Sequence, residues 1–219
     1  MKALRILGAL ALALMVVTGA GAQGLANPAT EKKIDALLAQ MTLEEKVGQL
    51  NQYSNAFDVT GPPPSAGQQK VMYDQIRQGL VGSVLNVTGA EATRKMQELA
   101  VANSRLKIPM IFGLDVVHGY RTIFPLPLGE AASWDMAAIE TSARVGAAEA
   151  AAAGLHWTFA PMVDISWDAR WGRVMEGGGE DPYLGALVAA ARVRGFQGRD
   201  LAALDTIAAC AKHYAAYGF

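Results

Sequence analysis

The segment DARWGRVMEGGGED, residues 168–181, places two arginines, four carboxylates, a tryptophan and three consecutive glycines between two apolar stretches. Guanidinium and carboxylate groups make strong, directional hydrogen bonds to polar ligands, and glycines let a backbone turn tightly with positive φ. The glycines do not read as a phosphate cradle, because the carboxylates that flank them in EGGGED would repel an anion. Further polar residues stand where apolar runs stop: Asp115 and His118 after one, Asp164 and Asp168 after the next, Lys212 and His213 at the end of the last. A buried lysine without a partner is expensive, so Lys212 is expected to be paired or to hold a ligand. The histidines are scattered, with neither H-x-H nor H-E-x-x-H, so no metal site is indicated, and nothing in the chain implies a cofactor.

These residues need elements to position them. Ile34, Leu37, Leu38 and Met41 recur at helical spacing, and Thr42 with Glu45 forms an S/T-x-x-E capping box that opens a second helix through Leu50. After a Gly-Pro-Pro-Pro turn region at 61–64, helical stretches are predicted at 69–78, 90–104, 136–153 and, from the Asp181-Pro182 start signal, to 197. Between them GSVLNV (82–87), IPMIFGLD (108–115), HWTFAPMVDI (156–165) and IAACAKHY (207–214) read as strands. Continuous apolar strands alternating with helices predict an α/β fold with a parallel sheet. No Gly-rich phosphate turn follows an early strand, which disfavours an open nucleotide-binding sheet. A (β/α)8 TIM-type barrel places the ends of its strands at one mouth, where the polar residues would meet. Four strands make only about the first half of such a barrel, so the chain is expected to be the front portion of a longer protein.

Composition agrees with a packed core: the 219 residues are 52% hydrophobic and 18% charged. With a formal charge of -1 and no basic run, nucleic acid is not an expected partner. At the N-terminus Lys2 and Arg5 precede an apolar run at 6–17, and Ala20-Gly21-Ala22 follows, so residues 1–22 read as a signal peptide and 23–219 as the mature chain. The run is short for a bilayer span, which needs roughly 20 residues. A periplasmic or secreted protein with no membrane attachment after cleavage is expected. Cys210 is the only cysteine, so no intramolecular disulfide can form, and it is expected to pack as a small side chain.

GLDVVHG (113–119), FPLPLGEAASWD (124–135), FAPMVDISWDARWGRVMEGGGEDPYL (159–184) and KHYAAYGF (212–219), in that order and preceded by MTLEEKVGQL, closely resemble the N-terminal barrel of glycoside hydrolase family 3. The similarity is to its exported β-glucosidase branch, the periplasmic β-glucosidases of bacteria. The resemblance implies that Asp115, Arg173, Lys212 and His213 bind the sugar at the innermost subsite. It also suggests a hexose, since β-xylosidase relatives often carry Glu where Asp115 stands. Around them, His118 is expected to hold Asp115, and Arg170 to pair with Asp168 or Glu180 and brace the loop. Trp171 is expected to pack under that loop rather than stack on sugar. The N-acetylglucosaminidases of the family carry a further histidine soon after the Lys-His pair, where this chain has Tyr214, Ala215, Ala216 and Tyr217.

Lys212 and His213 are adjacent, and neighbouring strand residues point to opposite faces, so the strand must twist, bulge or end there if both are to reach one ligand. The reaction implied is retaining hydrolysis of terminal non-reducing β-D-glucosyl residues, with a β-glucoside or oligosaccharide as substrate. The family's nucleophile Asp and acid/base Glu are expected beyond Phe219, and none of Asp164, Asp168, Glu176 and Glu180 matches the nucleophile motif. The isolated chain is therefore expected to be inactive. A non-catalytic carbohydrate-binding pseudoenzyme and a truncated product that does not fold remain the alternatives. The residues leave linkage, aglycone and oligomeric state open.

Overall fold

The computed structural model describes residues 27–54, 64–214 and 217–218. The expected signal peptide lies outside the described residues, as does the turn region apart from Pro64. The chain divides into two compact units, Met1–Thr42 and Leu43–Phe219. The described part of the first holds α1 (Pro28–Leu38), whose start is set by the Asn27 side chain accepting from Ala29 N at 2.9 Å and by Pro28 at the first turn. It takes in Ile34, Leu37 and Leu38 and stops before Met41.

The second unit alternates helix and strand. Its elements are α2 (Leu43–Gly48), β1 (Gln52–Ser54), α3 (Gly67–Arg77), β2 (Ser83–Leu85), α4 (Ala90–Asn103), β3 (Ile111–Leu114), α5 (Pro127–Ala131), α6 (Met136–Ala152), β4 (Trp157–Thr158), α7 (Pro182–Gln197) and β5 (Ala208–Ala209). A 3-10 turn, Val174–Glu176, interrupts the loop before α7. The five strands are all parallel and lie in the order β1-β2-β3-β4-β5. An open nucleotide-binding sheet reverses its strand order at a switch point; here the order never reverses, which is the winding of a barrel wall. The fold is α/β, a partial TIM-type barrel.

Two elements escaped the sequence reading, and several boundaries moved. β1 is a short Gln-Tyr-Ser strand with no apolar run, and α5 is a five-residue helix started by Pro127. The third apolar run, predicted as ten residues, forms a two-residue strand because Pro161 has no N–H to give the ladder. Pairing resumes irregularly beyond it: Cys210 N donates to Ala160 O, Lys212 N to Pro161 O, and Val163 N to Lys212 O at 2.6 Å. β5 likewise ends at Ala209, three residues before Lys212.

The sheet buries one face under the helices. Phe112 is 1% exposed among Met72, Ile76, Met96, Ala147 and Phe196, while its neighbour Ile111, on the opposite face, is 45% exposed. Burying a side chain of that size contributes about 2–3 kcal/mol. Gly113 lies across from Trp157, and a Cβ there would sit 1.8 Å from the indole Nε1, so only glycine lets the ring cross β3. Alanines and glycine let α6 and α7 approach closely: a Cβ on Gly195 would lie 2.4 Å from the Glu140 carbonyl. The buried Arg192 and Glu130 pair at 2.6 Å, fastening α7 to α5, and Arg192 Nη2 also donates to Val117 O just after Asp115. Burial pulls the Arg192 pKa down, against the opposing pull of Glu130.

Candidate active site

The loop after β3 is built by its own backbone and by Glu149. Val116 N donates to the Thr158 hydroxyl at 2.9 Å, which fixes the chain beside Asp115. Gly119, at φ 110°, turns so tightly that a Cβ would meet Thr122 O at 1.9 Å. Glu149 accepts from the Thr122 hydroxyl, Thr122 N and Arg121 N, and these bonds, the hydroxyl first, hold its carboxyl below the usual range. His118 Nδ1 meets Phe124 O at 3.0 Å rather than Asp115. The residue that holds Asp115 is Lys212, whose Nζ lies 3.0 Å from Asp115 Oδ1.

The glycine-rich loop is a brace with two separate arginine pairs. Arg170 grips Asp168, Nη2 to Oδ2 at 2.6 Å with Nε also in range, and so holds that carboxyl down; Arg170 is 91% exposed and stands off the site. Glu180 takes no part in this pairing. Its side chain is exposed, and its carbonyl accepts from Trp167 Nε1. Arg173 makes a bidentate pair with Glu176, Nε to Oε1 at 2.6 Å and Nη2 to Oε2 at 2.7 Å, across the 3-10 turn. That contact holds the Glu176 carboxyl below its usual range. The Arg173 pKa is raised, by Glu176 first and Tyr217 second. Of the three consecutive glycines only Gly179 has positive φ, 99°; at Gly178 the need is close packing, since a Cβ would lie 3.2 Å from Gly185 Cα. Asp181 caps α7, accepting from Tyr183 N at 2.7 Å and Leu184 N at 3.2 Å.

Lys212 and His213 follow the end of β5 and are joined by a cis peptide. Asp164, buried, accepts from both His213 N (3.1 Å) and His213 Nδ1 (2.7 Å). With Nδ1 turned to Asp164, Nε2 is the ring nitrogen that faces Arg173 Nη1, at 3.4 Å. Tyr217 packs edge-on against His213 and Trp171, and its hydroxyl accepts from Arg173 Nη1 at 3.2 Å. Trp171 thus lies against Tyr217 and Gly218, under the loop.

The result is an open cavity of about 390 Å³ whose wall includes Asp115, His118, Arg173, Met175, Glu176 and Lys212. Three of the four expected sugar-binding residues line it, and His213 stands behind Arg173. Lys212 also lies 3.9 Å from Glu176, so carboxylates and cations alternate along the wall. Such a lining suits a polyhydroxyl ligand, because each hydroxyl can donate to a carboxylate and accept from a cation. A larger cleft of about 670 Å³ opens beside α6 and α7 near Arg144 and Arg194, and none of the strand-end residues reaches it. Among the described residues no group of three acidic, histidine or cysteine side chains is placed to hold a metal. Nor is any described helix long and apolar enough to cross a membrane.

Sequence reasoning placed Asp164 among the strand-end residues without giving it a role, and it gave none to Glu176 or Tyr217. The spacing of Arg173 and Glu176 in one turn was a usable signal for Glu176. Asp164 and Tyr217 acquire their partners only through tertiary folding.

Residues 42–219 match the Glycosyl hydrolase family 3 N terminal domain. The chain is similar to the periplasmic beta-glucosidase of Salmonella typhimurium, 43% identical over 196 residues, which are 88% of this chain and 25% of that protein. It is 33% identical over 210 residues to the lysosomal beta glucosidase of Dictyostelium discoideum, covering 84% of this chain and 26% of the relative. The structure superimposes on a beta-glucosidase from Listeria innocua, solved in complex with isofagomine, with a TM-score of 0.74 and 42% identity, covering 85% of this chain and 26% of that one. The chain therefore spans about a quarter of the length of these relatives. The ordered strand-end motifs, the sheet winding and the matched residues together establish that the chain belongs to glycosyl hydrolase family 3.

Proposed function

We propose that this chain forms the sugar-binding wall of an exported β-glucosidase, with Asp115, Arg173, Lys212 and His213 holding the terminal non-reducing β-D-glucosyl residue of a β-glucoside or oligosaccharide. The observation that carries the reading is the pairing of Lys212 with Asp115 at 3.0 Å, on the wall of the cavity that also receives Arg173. Asp115 keeps its second oxygen and Lys212 its remaining hydrogens for hydroxyls. His213 supports this wall through Nε2, which faces Arg173 Nη1 at 3.4 Å. The names of the relatives support the substrate class, and that of the Salmonella protein supports export to a periplasm.

Retaining hydrolysis needs a carboxylate nucleophile and a carboxylic acid that later serves as base. We assign neither role to the carboxylates near the cavity. Asp164 is committed to His213, Asp168 to Arg170 and Glu176 to Arg173, and each pairing lowers the nucleophilicity of the carboxylate. The reading places both roles outside these 219 residues. Titration of the chain with D-glucose and D-glucono-1,5-lactone, alongside an assay with p-nitrophenyl β-D-glucoside, tests it. Saturable binding without turnover is expected. Absence of binding overturns the sugar site, and turnover overturns the assignment of the catalytic groups.

A further inference from the structure

The cavity wall is electrically balanced. Asp115 and Glu176 supply two carboxylates, Arg173 and Lys212 two cations, and His118 is the other titratable group on the wall among the described residues. Arg173 holds the Glu176 carboxyl low, so it is ionised at neutral pH. Glu176 is the carboxylate that faces both cations, at 2.6 and 2.7 Å from Arg173 and 3.9 Å from Lys212, whereas Asp115 pairs with Lys212. Asp164 lies behind the wall, buried against His213.

The hydrogens of Arg173 are almost all taken. Nε and one hydrogen of Nη2 go to Glu176, and Nη1 faces the Tyr217 hydroxyl and His213 Nε2. One hydrogen of Nη2 remains for a ligand. A guanidinium so engaged can bond a hydroxyl, but it cannot present its paired N–H groups to an incoming carboxylate.

We propose that Glu176 is a specificity-determining residue that restricts this site to uncharged hexoses and excludes hexuronates, by cancelling the charge of Arg173 and occupying its bidentate edge. The inference rests on the reading of the cavity as a glucosyl site. A hexuronate carries a carboxylate that needs a cation with free paired N–H groups, and on Arg173 Glu176 already holds the Nε and Nη2 edge. Removing the charge of Glu176 leaves the wall with one excess cation and frees one edge of Arg173.

The test is to titrate the 219-residue chain and its Glu176→Gln and Glu176→Asp variants with D-glucose and with D-glucuronate at neutral pH. The wild-type chain is expected to prefer glucose by about tenfold or more. In Glu176→Gln the preference is expected to shift toward glucuronate by about tenfold, the size of effect one unit charge exerts across several ångströms in a partly solvated site. Glu176→Asp retains the charge and is expected to retain the preference for glucose. A ratio unchanged in Glu176→Gln overturns the role of Glu176 while leaving the glucosyl reading in place. Failure of the wild-type chain to bind glucose overturns that reading and the inference with it. Should the glutamine variant not fold, the wild-type chain still decides, because glucuronate bound as tightly as glucose is incompatible with the proposal.

Discussion

Lys212 Nζ lies 3.0 Å from Asp115 Oδ1, although 97 residues separate them in sequence. The side chain of Lys212 is 14% exposed and that of Asp115 53%, so the lysine depends on this contact more than the aspartate does. Asp115→Asn is expected to weaken glucose binding by about tenfold or more, since a charge-assisted acceptor is replaced by a neutral one. Calorimetric titration measures the effect, and a melting curve shows whether the variant remains folded.

Two of the arginine pairs outside the cavity should differ sharply in their worth. Arg192 and Glu130 are 4% and 6% exposed, so Glu130→Ala leaves a buried guanidinium without a counter-charge, the Val117 carbonyl remaining to it, and is expected to cost about 3–5 kcal/mol. Arg170 is 91% exposed, and Arg170→Ala is expected to change stability by less than about 1 kcal/mol. Urea unfolding of the two variants compares them directly, and equal losses would contradict the assignment of the buried pair as the fastening between α5 and α7.

Stability should decline on the acid side through His156. Its Nδ1 accepts from Phe112 N at 3.0 Å, which the protonated ring cannot do, and burial lowers its pKa from 6.5. The unfolded chain therefore takes up the proton first as pH falls. The stabilisation is fully present above pH 6.5 and is lost progressively as pH drops from there toward the folded-state pKa. Unfolding measured from pH 8 to pH 5 is expected to show this slope, and His156→Leu, which binds no proton, to flatten it while lowering stability throughout.

Gly195 tests the close approach of α6 and α7. A methyl there would meet the Glu140 carbonyl at 2.4 Å, and a backbone atom can move aside only if the helices separate. Gly195→Ala is expected to destabilise by about 1–3 kcal/mol in spite of alanine's better helix propensity. A thermal melt of the variant decides the sign.

Much of this arrangement is legible in local chemistry. Asp181 and Pro182 mark the start of α7, and the apolar spacing and strand-like runs mark the alternation of helix and strand, because capping and burial periodicity act over a few residues. β1 and the true lengths of β4 and β5 are not legible in that way. Gln52–Ser54 has no apolar run and becomes a strand only because β2 lies beside it, and Pro161 cuts a ladder that hydrophobicity alone would extend.

The amino-acid sequence by itself determined the fold class, the family resemblance and the candidates Asp115, Arg173, Lys212 and His213, since motif order and apolar pattern are properties of the chain. Only the tertiary structure decided how they meet: Lys212 on Asp115, Arg173 on Glu176 with Tyr217 beside it, and His213 turned to Asp164 behind the wall. The physical reason is that an ion pair or hydrogen bond is selected by distance in space. Those distances are set by sheet register and by the packing of α5, α6 and α7, which no local pattern encodes.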